Sequence, residues 1–229
     1  MSVPWLVVSP HCDDGVLACG ALLAMHPGSI VATVFAGTPP TYQPFTEWDR
    51  ACGFAPGDDV MALRRGEDAR ALETLAARPV WLPFLDSQYR STPTVSAVAD
   101  ALCDVIQACS PRAIAFPLGL FHSDHVLVRE AMLQLAARTT MPPLAVYTDA
   151  LYRRLADALD KQIAALSNRG FELRERAERA SPRAQALKRA AIACYASQLR
   201  ALATPGRLGH ADAYEAERYM DLAVTVASS

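Results

Sequence analysis

Apolar positions along the chain follow two spacings. Residues 4–9, with the unbroken run Trp5-Leu6-Val7-Val8, and the segments Ser29–Ala36, Pro79–Leu85, Ala113–Phe116 and Leu144–Tyr147 are short and apolar, as buried strands are. Between them lie Val16–Met25, Val60–Ala77 (Met61, Leu63, Ala69, Leu72, Leu75), Val95–Cys109 and Val126–Arg138, which carry helical spacing. Strands alternating with helices of this length predict an α/β fold, a mostly parallel sheet with helices on both faces. Residues 37–58 keep no clean period and read as a long loop with a short helix near Trp48; loops of that length are often functional.

The pattern changes after Asp149. Arg153–Ser167 and Ala184–Leu202 read as helices, the charged stretch 174–180 as a solvated face, and Ala211–Ser229 as a helix followed by a strand at Leu222–Val226. The expectation is one domain over 1–229, with an α/β core at 1–150 and a helical C-terminal extension at 151–229.

Composition narrows the class. Of the 229 residues, 52% are hydrophobic and 20% charged, with a formal net charge of −2, which fits a globular protein and gives no footing for nucleic acid. No apolar run reaches the ~20 residues of a membrane span, and the start Met1-Ser2-Val3-Pro4-Trp5 has no basic leader. The six cysteines show no CxxC pair, as expected of free thiols in a cytoplasmic protein. A homo-oligomer is compatible with all of this.

The chemistry concentrates in two places. Ser9-Pro10-His11-Cys12-Asp13-Asp14-Gly15 follows the first strand, and His122-Ser123-Asp124-His125 follows the fourth. In open α/β sheets ligands gather outside the carboxyl ends of strands. A catalytic zinc takes three protein ligands from histidine and carboxylate and keeps one position for water. His11 and Asp14, three apart, can face one point, and His125 is the natural third ligand. Asp13, between the first two, is placed to act as a general base. His122 and Asp124 form a second proton-handling pair. Against this, His-x-x-Asp is a common surface pattern, and Asp13-Asp14 would also cap a helix.

These two motifs resemble the His-Pro-Asp-Asp and His-x-Asp-His signatures of the PIG-L/LmbE-like zinc-dependent N-deacetylases. The resemblance extends to Arg64-Arg65-Gly66-Glu67 (Arg-x-x-Glu), Leu85-Asp86, Tyr147-Thr148-Asp149-Ala150-Leu151-Tyr152 and the late Lys188–Gln198 segment. It implies a Rossmann-like fold, Zn2+ held by His11, Asp14 and His125, Asp13 as base, and His122 at the oxyanion or as acid, tuned by Asp124. It also implies substrate contacts from Arg64, Asp86 and Tyr152, and removal of an N-acetyl group from an N-acetylglucosamine-like sugar or glycoconjugate. Two positions depart from the family: Cys12 replaces its proline, and Gly15 replaces the glutamate that commonly follows the aspartate pair.

Two other readings use the same residues. Two histidines and an aspartate also make the facial triad of non-haem iron oxygenases, which usually sit on all-β barrels. A degenerate, non-catalytic sugar-binding module would be consistent with the loss of a carboxylate at Gly15.

Overall fold

The structure is a computed structural model that describes residues 4–177 and 179–224. Strand β1 (Trp5–Ser9) is buried along its whole length, and its side chains alternate between two apolar layers. Leu6 and Val8 pack into one layer with residues of α4 (Val95–Cys109) and α5 (Ser123–Arg138). Trp5 and Val7 pack into the other with α1 (Asp14–Met25), α3 (Val60–Thr74) and α7 (Pro182–Ile192). A period-two alternation of purely apolar residues is what a central strand covered on both faces requires.

β2 (Ile30–Thr33), β3 (Arg78–Trp81), β4 (Ala113–Pro117) and β5 (Leu144–Tyr147) join β1 in the parallel order β3-β2-β1-β4-β5. Successive parallel strands linked by right-handed crossovers put α1 and α3 on one face and α4 and α5 on the other. The strand order therefore reverses between β1 and β4, which opens a crevice at their carboxyl ends. Both chemistry-bearing motifs follow these two strands.

The segment after residue 150 is not helical throughout. It supplies α6 (Ala158–Ser167), α7 and α8 (Ala196–Leu202), but also β6 (Phe171–Arg176) and β7 (Tyr219–Val224). β7 pairs antiparallel with β5, and β6 with β7, completing a seven-stranded sheet. The stretch expected as a solvated face thus begins within an edge strand, where Phe171 and Leu173 alternate with charged residues. The helix expected over Ala184–Leu202 breaks at Ala193–Tyr195. Ala211–Tyr214 is a single 3-10 turn, and β7 begins at Tyr219, earlier than the expected Leu222; residues 225–229 lie outside the described residues. Among the described residues no helix is long and apolar enough to cross a membrane.

Candidate active site

Both motif helices begin earlier than the apolar spacing indicates, and this sets the geometry. α1 starts at Asp14, so Asp14 and Gly15 lie in its first turn with Asp13 at the N-cap. α5 starts at Ser123 with His122 at the N-cap, which puts Asp124 and His125 on its first turn. Two helix N-termini thus meet at the crevice, and their positive ends favour the carboxylates there. Ser9 fixes the turn between β1 and α1. Its hydroxyl donates to the His11 carbonyl at 2.5 Å and accepts from the Gly15 amide at 2.8 Å.

The three expected metal ligands converge. Asp14 Oδ2 lies 2.9 Å from His11 Nδ1 and 3.0 Å from His125 Nε2, and accepts the His11 amide at 3.0 Å. One oxygen and two ring nitrogens facing a common point are the donor set of a catalytic zinc site. Each histidine also meets a carboxylate through its other nitrogen: His11 Nε2 is 3.0 Å from Asp124 Oδ2, and His125 Nδ1 is 2.6 Å from Asp149 Oδ1. Such outer carboxylates hold a ligand imidazole in one tautomer.

The electrostatics follow from this packing. Burial alone would lower the His125 pKa, but Asp14 and Asp149 outweigh it and raise it to about 9. His11 behaves alike: burial lowers its pKa, while Asp86, Asp124 and Asp14 carry it well above the ordinary imidazole value. For Asp14 burial works upward, and the two histidines overcome it and hold the carboxyl well below the usual range. Asp13 has no such partners. Burial, and then the charge on Asp14, push it to about 7. Its side chain makes no capping hydrogen bond to α1, so capping does not account for it. His122 is lowered by burial and by the neighbouring histidines. Its Nδ1 accepts the Asp124 amide at 3.2 Å, which leaves the ring proton on Nε2.

Every expected site residue except Asp124 lines a single cavity of about 590 Å³. Asp124 stands behind His11 and is buried; its carboxylate is 3.0 Å from His11 Nε2 and 3.9 Å from His122 Nδ1, so it meets both histidines and lies closer to the first. Arg64 is buried in an ion pair, with Nη2 2.8 Å from Asp49 Oδ1 and Nη1 3.8 Å from Asp86 Oδ2. Asp86 caps the 3-10 turn Ser87–Tyr89, accepting from the Gln88 amide, and lies 4.0 Å from His11 Nε2. Tyr152 packs edge-on against the His125 ring at 5.4 Å. Burial and the surrounding carboxylates raise its pKa, which keeps the phenol protonated.

Other features had weaker signals in the sequence. The long loop contains α2 (Glu47–Ala51), which brings Trp48 to the cavity wall and Asp49 to Arg64. α3 is tied to the C-terminal helices, since Glu67 accepts from the Ser197 amide and hydroxyl, and Asp68 from the Tyr195 hydroxyl and Trp81. Gln198 accepts from Trp48 at 3.2 Å and lines the cavity. The late Tyr-x-Ser-Gln segment therefore braces α3 and the Trp48 side of the cavity. Cys12 lies buried with Ala36 and Met61, outside the groups that could hold a metal. A Cβ at Gly15 would lie 3.1 Å from side-chain atoms of Ser9 and of Val31, so a larger residue there requires these neighbours to give by a few tenths of an ångström.

The family profile described as PIG-L, GlcNAc-PI de-N-acetylase, matches residues 6–136, more than half of the chain. The chain belongs to this family. No curated protein sequence matches it. Among solved structures it is similar to the A40926 pseudoaglycone deacetylase at 27% identity, covering 100% of both chains with a TM-score of 0.81. The deacetylase–teicoplanin complex of the teicoplanin pathway is 25% identical, over 99% of this chain and 100% of that one, with a TM-score of 0.80. The zinc inhibited form of teicoplanin deacetylase is 24% identical over the same shares, with a TM-score of 0.82, a likeness of fold. This PIG-L member thus has the mixed, mostly parallel α/β fold of deacetylases, not the all-β barrel on which the iron facial-triad reading rests.

Proposed function

We propose that this PIG-L family member is a zinc-dependent hydrolase that removes the acetyl group from the amino nitrogen of a sugar within a glycoconjugate. The observation that carries the reading is the convergence of His11 Nδ1 and His125 Nε2 on Asp14 Oδ2, at 2.9 and 3.0 Å, beside Asp13. Held by these three residues, zinc would supply a Lewis acid for the acetyl carbonyl and bring a water's pKa toward ~7.

The chain's own residues do the rest. Asp13, at about 7, takes the proton of the attacking water as the bond to the carbonyl carbon forms. His122, neutral with its proton on Nε2, donates to the developing oxyanion from a site already in place. As the C–N bond breaks, Asp13 passes its proton to the departing amine, and acetate and the free amino sugar remain. Asp86 and Tyr152 line the cavity and would bind sugar hydroxyls there. Arg64, paired with Asp49 and 3.8 Å from Asp86, positions Asp86 from within the cavity lining.

The cavity also favours a conjugate over a free sugar. Its floor is polar (His11, Asp13, Asp14, His122), while Trp48, Phe121, Leu155 and Leu208 face it from the walls. Phe121 and Leu208, 67% and 53% exposed, are not scattered singly but gathered at this one cavity with Leu155. An amphipathic substrate, sugar inward and apolar aglycone outward, matches this division; the similar deacetylases are described as acting on A40926 pseudoaglycone and in complex with teicoplanin.

Acetate release from zinc-loaded protein, measured with N-acetylglucosamine and with its alkyl and aryl glycosides, tests the proposal. Turnover that grows with the aglycone is expected. Zinc binding without acetate release from any of these sugars would favour a non-catalytic sugar-binding module.

A further inference from the structure

Asp149 lies two residues after β5, outside both metal motifs, and does not line the cavity. It is nonetheless buried, at 1% exposure, and both of its carboxylate oxygens are engaged. Oδ1 lies 2.6 Å from His125 Nδ1. Oδ2 accepts the amides of Gly119 at 2.8 Å and Leu120 at 3.2 Å. Those amides open the loop that carries Phe121 and His122 to the cavity, and Gly119 turns there with a φ of +72°, a conformation suited to glycine.

We infer that Asp149 is a positioning residue that fixes the His125 ring and the Gly119–His122 loop together, so that the metal-facing nitrogen and the cavity loop share one anchor. The inference rests on the reading of His125 as a metal ligand. Its physical basis is a count of donors and acceptors. Two amide protons and one ring proton converge on one side chain, and only an ionised carboxylate offers an acceptor on each side. Nε2 of His125 is available to a metal only while Nδ1 carries the proton, and Oδ1 of Asp149 is what receives that proton.

The count makes Asp149→Asn informative. The amide has one acceptor oxygen. If that oxygen stays on the two loop amides, its NH2 faces His125 Nδ1, donor against donor, whenever Nε2 holds a metal. If it turns to the ring, the loop amides lose their partner. Asn can preserve the loop or the ligand geometry, never both, whereas Ala preserves neither.

The test is zinc affinity by chelator competition on the full chain, with thermal stability measured in parallel and the ring nitrogens of the zinc-loaded protein followed by 15N NMR. Asp149→Asn is expected to bind zinc about 10- to 100-fold more weakly than wild type, as Asp149→Ala does. It should also lose the slowly exchanging His125 Nδ1 proton, while holding its melting temperature above that of Asp149→Ala. Wild-type zinc affinity and an unchanged Nδ1 proton together with a wild-type melting temperature in Asp149→Asn would overturn the inference, because one acceptor oxygen cannot serve the ring and the loop amides at once. Failure of the ligand reading has a different signature: zinc would then leave the His125 ring signals of the wild type unmoved.

Discussion

Asp124 Oδ2 lies 3.0 Å from His11 Nε2, whereas His122, two residues away in sequence, stays 3.9 Å off. The Ser87 amide donates to the same oxygen at 3.1 Å, which fixes the carboxylate behind the His11 ring. Asp124 and His122 are therefore expected to part on mutation. Asp124→Ala should weaken zinc binding about 10- to 100-fold, with turnover recovering in part at saturating zinc. His122→Ala should leave zinc affinity alone and lower kcat about 10²- to 10³-fold, the loss of one oxyanion donor. Equal zinc affinity in the two variants would remove the distinction.

Asp13 carries the proton transfer in this scheme, and Asp13→Asn isolates it. Zinc should remain bound, since Asp13 is outside the three-ligand group, while kcat falls about 10²- to 10⁴-fold. The metal-free protein offers a second check. The folded-state pKa of Asp13 is raised to about 7 from an ordinary 3.8, so the folded state binds the extra proton between these values, and its stability declines as pH rises across that window. Asparagine removes that decline. The melting temperature of Asp13→Asn relative to wild type should therefore increase from pH 5 to pH 8 in the presence of chelator; a constant difference would show that Asp13 is not the group that resists ionisation.

How much of this the sequence carried depends on how local each signal was. His11, Asp13, Asp14 and His125 were legible because each cluster sits beside its strand, and strand ends at a switch point share one crevice. Asp149 was not legible as a partner of His125, because α5 and β5 separate the two in sequence and no periodicity reveals the contact. Adjacency in sequence pairs Asp124 with His122, which it meets at 3.9 Å, but does not reveal the shorter contact with His11, because the first turn of α5 aims the carboxylate across the crevice. β6 was missed because an edge strand needs apolar residues on one face only, and Phe171 and Leu173 are too few to stand out among charges. The N-termini of α1 and α5 were placed late because their first turns hold ligands in place of apolar residues.

Zinc uptake by the metal-free protein should release protons. At pH 8 Asp14 is ionised and Asp13 largely so, but His125, at about 9, and His11, well above the ordinary value, both carry their extra proton. A metal can bind His11 Nδ1 and His125 Nε2 only after these protons leave. Calorimetry in buffers of different ionisation enthalpy should find about two protons released, and zinc affinity should rise with pH up to about 9 by about tenfold per pH unit for each proton. Release near zero at pH 8 would mean that the histidines are neutral in the metal-free state and that Asp14, Asp124 and Asp149 do not hold them charged.

The aglycone wall makes a last prediction, which separates recognition from chemistry. Phe121 and Leu208 are exposed at the cavity mouth, so replacing either with serine removes little buried apolar surface from the folded protein and should hardly move its melting temperature. A substrate that covers them with an apolar group would lose roughly 1–2 kcal/mol of burial for each replacement, about 5- to 30-fold in affinity. Phe121→Ser and Leu208→Ser are accordingly expected to raise KM for alkyl and aryl N-acetylglucosaminides by that factor and to leave kcat near wild type. The free sugar, which reaches only the polar floor, should be cleaved as before. Of the two, Leu208→Ser is the cleaner probe, because the Phe121 ring also lies 5.5 Å from Tyr152, which in turn packs on His125. If Leu208→Ser slows the free sugar and the glycosides by the same factor, the wall supports the fold of the site and does not select the aglycone.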